Sequence, residues 1–120
     1  DKGAGAQTGN PLLAAVRRKL AAAPLLLDQG HVTQAVELLL GALLESAAIL
    51  AGQPQAPSSE EAAVWLYQQA LPQGWLSAEQ GNLLLRVQGL ARAEALPETL
   101  ARDLLADVQE FAGAIREDQC

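Results

Sequence analysis

Between His31 and Ala51 the chain reads HVTQAVELLLGALLESAAILA. On a helix of about 3.6 residues per turn, its polar or featureless positions Gln34, Glu37, Gly41, Glu45 and Ala48 fall on one narrow stripe. Everything else is apolar or small. Val36, Leu40, Leu43, Ala47 and Leu50 form one face, and Leu38, Ala42 and Ile49 lie on a second flank. That is more apolar surface than one layer of neighbours covers. The pattern predicts the central helix of a bundle, or a core helix that also meets a second subunit. In the latter case Leu38, Ala42 and Ile49 are the candidate dimer interface, and the chain is expected to be a homodimer.

Four further helical segments surround it. Asn10-Pro11 predicts a start, with Asn as N-cap and Pro where its missing N–H costs nothing. This first helix runs to about Asp28 with Leu13, Val16, Leu20 and Leu27 inward, Arg17, Arg18 and Lys19 in solvent, and an expected kink at Pro24. Gly30 closes it, and so short a connection forces the central helix to pack antiparallel. Gly52 to Pro57 is a stop and a loop. Ser58 with Glu61 predicts a capping box for a third helix facing inward through Val64, Tyr67 and Leu71, and ending at Pro72-Gln73-Gly74. Ser77 with Gln80 opens a fourth, from about Ala78 to Ala95, with Leu83, Val87 and Leu90 inward, Arg86 at the edge of that face and Arg92 pointing away. Pro97 starts the fifth, in which Leu104, Val108, Phe111 and Ile115 face inward and Arg102, Asp103, Asp107 and Glu110 outward. The expected fold is all-α: an up-and-down antiparallel helical bundle of four main helices plus a shorter one. It spans residues 11–118 as a single domain behind a flexible linker at 1–10, whose Gly/Ala-rich sequence without an initial Met suggests a piece trimmed from a longer protein.

Composition narrows the class. The 120 residues are half apolar, yet only 3% are aromatic and Met is absent, so the core is built from Leu, Ala and Val, which favour helix. The net charge of −6 disfavours nucleic acid as a partner. Cys120 is the only cysteine, which excludes an internal disulfide and a Cys-based metal site and fits a cytoplasmic location. Glu37 and Glu45 divide the longest apolar run below the roughly 20 residues of a membrane span, so no membrane association is expected.

No catalytic constellation is legible. His31 is the sole histidine and sits at a helix start, which assigns it a helix-end role. Asp103 and Asp107 stand one turn apart, but a carboxylate metal site in a bundle needs facing acids from other helices. Neither a metal nor a cofactor is expected. Trp65 and Trp75 each interrupt an apolar run and are read as core and loop anchors rather than stacking platforms.

The order of segments does resemble a known family. A first helix ending LLLDQG is followed by HVTQAVELLLGALLESAAILAG, a loop, SSEEAAVWLYQQ, a G-W-L link, LLLRVQGLARAEAL and LARDLLADVQEFAGAIRE. From Pro11 to Glu117 this is similar to the HEPN domain, a small helical bundle. The resemblance implies dimerisation and binding of a nucleotide, with Arg86 and Arg92 the residues to hold it, or of a partner protein such as a nucleotidyltransferase or a member of a toxin–antitoxin system. Catalytic members carry an Arg followed a few residues later by the His that completes an RNA-cleaving pair. Here Arg86 matches the Arg, but Ala91, Arg92 and Ala93 occupy the His positions; counted from Arg92, the positions hold Pro97, Glu98 and Thr99. Without the imidazole the acid–base partner is missing. The resemblance therefore implies a degenerate, non-nucleolytic member. The alternative is a helical protein-interaction adaptor of another lineage, built from hairpins like those of tetratricopeptide proteins; an enzyme using Asp103 and Asp107 is a distant third.

Overall fold

The computed structural model describes residues 11–93 and 95–115, so the linker at 1–10, the Asn10 cap, residues 116–118 and Cys120 lie outside the described residues. Five helices are present among them: α1 Pro11–Asp28, α2 Val32–Leu50, α3 Ala62–Trp65, α4 Ala78–Leu90 and α5 Glu98–Gly113. No strand occurs among the described residues.

Three glycines set the stops. Gly30, Gly52 and Gly74 have φ of 83°, 73° and 73°, a left-handed conformation that glycine adopts without Cβ strain. Each completes the same pair of backbone hydrogen bonds. After α1, His31 N–H donates to Leu26 O at 2.8 Å and Gly30 N–H to Leu27 O at 3.0 Å. After α2, the Gln53 and Gly52 amides donate to Ala48 and Ile49 at 2.8 and 3.0 Å, and the Trp75 and Gly74 amides repeat the pattern onto Ala70 and Leu71 at 2.9 and 3.1 Å. At the start of α4 the Ser77–Gln80 box is complete. Gln80 N–H donates to Ser77 Oγ at 3.1 Å, and Ser77 N–H to Gln80 Oε1 at 2.8 Å.

α2 is the hub. It packs against α1, α4 and α5, and Ala35, Leu39, Ala42, Leu43 and Ala47 are fully enclosed along it. The three alanines among them let neighbouring helices approach closely, and the two leucines fill the space between. Ser46 is also enclosed, its hydroxyl donating to the Ala42 carbonyl at 2.7 Å, so no buried polar hydrogen is left unsatisfied there. α2 is also long and apolar enough, by length and composition, to cross a membrane; in this fold it is the core helix.

Two expectations about the surface of this hairpin are corrected. Ala48 on the polar stripe is fully buried, and Gly41 and Glu45 are only half-exposed. At Gly41 and Glu45 the cover is Lys19, expected in solvent, whose stem lies over Gly41 and whose Nζ reaches Glu45 Oε1 at 2.6 Å. A lysine stem covers the surface that a glycine leaves bare while its charged head stays near water. α1 continues unbroken through Pro24, and Val16, Ala23 and Leu27 form its buried face.

α5 closes the bundle against both α2 and α1 through Ala101, Leu104, Leu105, Val108 and Phe111. Arg102 in its first turns donates to Asp28 at the end of α1, at 2.9 Å, and to Glu98 at 2.8 Å. The hydrogen bonds that the guanidinium donates to Asp28 and then to Glu98 raise it above its ordinary pKa. The Asp28 contact places the start of α5 at the end of the bundle where α1 stops and α2 begins.

The third helix departs most from expectation. The Glu61 amide donates to Ser58 Oγ at 3.2 Å, but the Ser58 hydroxyl itself donates to the Glu61 carboxylate, so half of the predicted capping box forms and α3 begins only at Ala62. After one turn it widens into a π-helical turn, Leu66–Ala70, closed by Leu71 N–H to Leu66 O at 2.9 Å. That i→i+5 bond inserts a residue into the helical count and shifts the inward face. Ala62, Leu66 and Ala70 are buried, whereas Val64 and Tyr67, expected inside, are 56% and 60% exposed. Leu66 seats against Gly81 of α4, where a Cβ would meet its Cδ1 at 3.2 Å. Trp65 and Trp75 are half-buried, with ring centres 6.4 Å apart, and bracket this turn. α4 ends at Leu90, short of Ala95, as the Arg92 and Ala93 amides turn back by three residues onto Gly89 and Leu90 ahead of Pro97.

Candidate functional site

α4 and α5 touch over only a short stretch, and between them lies an open cleft of about 540 Å³. The Ser77–Gln80 cap fixes the start of α4, so Glu79, Asn82, Leu83 and Arg86, three or four residues apart, share one side of it. Asp107, Glu110, Phe111 and Ala114 do the same on α5. Leu83 and the mostly buried Phe111 form the floor, with the small Ala114 beside them. Arg86, Glu79, Asp107 and Glu110 form the rim.

Arg86 is paired with Asp107 across the cleft, Nη2 to Oδ2, and the two side chains are 53% and 44% exposed. Asp107 was expected to point to solvent; it is half-covered because the guanidinium caps it. Glu79 and Glu110 have no cationic partner among the described residues. With three carboxylates against one guanidinium, the rim repels a phosphate. Arg92 is exposed on the turn after α4 and does not line the cleft, so the structure does not bring the two candidate nucleotide-binding arginines into one site.

The candidate dimer flank is corrected in part. Ala42 and Ile49 are covered within the chain, at 0% and 4% exposure, and Leu38 is half-buried. α4 and α5 supply the second layer that the apolar excess of α2 called for, so a dimer, where one forms, does not use Ala42 and Ile49.

His31 is exposed at the start of α2, where its side chain makes no cap bond and its carbonyl accepts the Ala35 amide at 3.0 Å. Among the described residues no three His, Cys, Asp or Glu side chains are grouped to hold a metal ion. Asp103 is exposed, while Asp107 is occupied by Arg86.

The cleft itself was not legible in the sequence. Its two walls are 21 residues apart at the Arg86–Asp107 contact, and single-helix periodicity assigns each residue a face without saying which faces meet. The spacing of Glu79 with Arg86, and of Asp107 with Glu110, is the only local trace of it. Compared with known protein families, characterised proteins and solved structures, the chain matches none.

Proposed function

We propose that this chain is a non-catalytic helical domain that acts by binding another protein. The observation that carries the proposal is the Arg86–Asp107 pair on the rim of an apolar-floored cleft. Of the two arginines that the HEPN resemblance assigns to nucleotide binding, Arg86 is already neutralised by a carboxylate, and further carboxylates flank it. A nucleotide phosphate entering there would have to displace Asp107 and face Glu79 and Glu110. An apolar floor with a polar rim is instead the anatomy of a protein contact. The exposed Leu25, Val64 and Tyr67 add apolar surface elsewhere on the domain. The helix order keeps a HEPN-like lineage within the proposal, in its non-nucleolytic form.

Two assays test it together. Incubated with single-stranded RNA, the purified domain leaves the RNA intact, and a peptide-display selection against the folded domain yields saturable binders. RNA cleavage that disappears in Arg86→Ala overturns the proposal; cleavage that persists in the variant comes from a contaminant.

A further inference from the structure

We infer that the α4–α5 cleft receives a cationic protein segment in which one apolar side chain is flanked by Lys or Arg. The inference rests on the protein-binding proposal and names the class of partner. Three features converge on it. The floor of Leu83 and Phe111, widened by the small Ala114, offers an apolar side chain contact on two sides. The volume of about 540 Å³ falls within the roughly 300–1,000 Å³ of ordinary ligand pockets. On the rim, Arg86 and Asp107 cancel, which leaves Glu79 and Glu110 as uncompensated charges.

The field of the whole chain has the same sign, since its net charge is −6. Long-range attraction therefore speeds encounter with a cationic partner and disfavours an anionic one, while the rim carboxylates select at close range. Arg86 has a defined part in this arrangement. It holds Asp107 while the cleft is empty, and it is the one rim charge that opposes a cationic guest, so its removal strengthens binding. A phosphate-binding site makes the opposite prediction.

The test uses the ¹⁵N-labelled domain and three probes: a short helical peptide of Leu and Lys, the same peptide with Glu for Lys, and ATP. The Leu/Lys peptide is expected to bind saturably with amide shifts centred on Leu83, Phe111 and Ala114. Glu79→Lys with Glu110→Lys weakens it by about tenfold or more, and Arg86→Gln tightens it a few-fold. All three substituted positions are read only in variants whose spectra show the native fold. Equal affinity for the Glu peptide, no binding of the Lys peptide, or weaker binding in Arg86→Gln overturns the inference. Shifts collecting at Val64 and Tyr67 overturn it while leaving the protein-binding proposal standing. ATP binding that Arg86→Gln abolishes overturns both.

Discussion

Lys19 and Glu45 are ion-paired between α1 and α2, with Nζ and Oε1 2.6 Å apart and side chains only 32% and 15% exposed. The lysine stem crosses Gly41, one turn before Glu45, through the space where a side chain would stand. Replacing Gly41 by Ala puts a Cβ 3.2 Å from Lys19 Nζ, the flexible end of a half-exposed chain. Lys19 can give way, and Ala favours helix over Gly by about 1 kcal/mol. Gly41→Ala is therefore expected to leave the melting temperature unchanged or to raise it.

Gly81 gives the opposite outcome. Its Cβ would meet Leu66 Cδ1 and Cδ2 at 3.2 and 3.3 Å and Leu71 Cδ2 at 3.5 Å, and Leu66 is fully enclosed with nowhere to move. Overpacking costs about 1–3 kcal/mol and outweighs the helix gain. Gly81→Ala should lower stability to urea by about 1 kcal/mol, whereas a rise like that expected for Gly41→Ala would show that α4 and the π-helical turn are not in contact.

Within the π-helical segment the two faces separate cleanly. Leu66→Ala removes a fully buried side chain and should cost about 2–5 kcal/mol, while Tyr67→Ser, at an exposed neighbour, should cost within about 0.5 kcal/mol. Equal losses in urea denaturation would mean that the inward face runs through Val64 and Tyr67 after all.

On α5, Leu104→Ala should cost about 2–5 kcal/mol and Phe111→Ala about 3–5 kcal/mol, since both are buried. Asp103→Asn should change little, and Asp107→Asn, which loses a half-exposed ion pair with Arg86, about 0–1 kcal/mol. A double-mutant cycle over Arg86 and Asp107 measures the pair itself.

Leu38→Glu is expected to leave the sedimentation coefficient unchanged, because its flank partners Ala42 and Ile49 are covered inside the chain. A shift from dimer to monomer in this variant would show that Leu38 alone anchors an interface.

Signals carried within one turn of chain were legible in the sequence. Gly30, Gly52 and Gly74 each mark a stop because a left-handed residue closes the last carbonyls, and Ser77 with Gln80 marks a start because both bonds lie inside four residues. The apolar spacing of Leu104, Val108 and Phe111 likewise found the inner face of α5. One local feature was not legible: the Leu71-to-Leu66 bond shifts the phase of a segment whose apolar residues fit two registers, so periodicity places Val64 and Tyr67 on the wrong side. Features created by a second element were not legible either. Lys19 looked solvated because its cover, Gly41 and Glu45, belongs to another helix. The cleft is of the same kind, formed only where α4 meets α5.

The proposed protein-binding role requires that Arg86 stay paired with Asp107 rather than take up a phosphate. Its most direct test is a titration of the ¹⁵N-labelled domain with ATP to millimolar concentration at low salt, where electrostatic binding is strongest. The account predicts no saturable shift of the amides around Arg86 and Asp107. A saturable shift there, lost in Arg86→Ala, would contradict it.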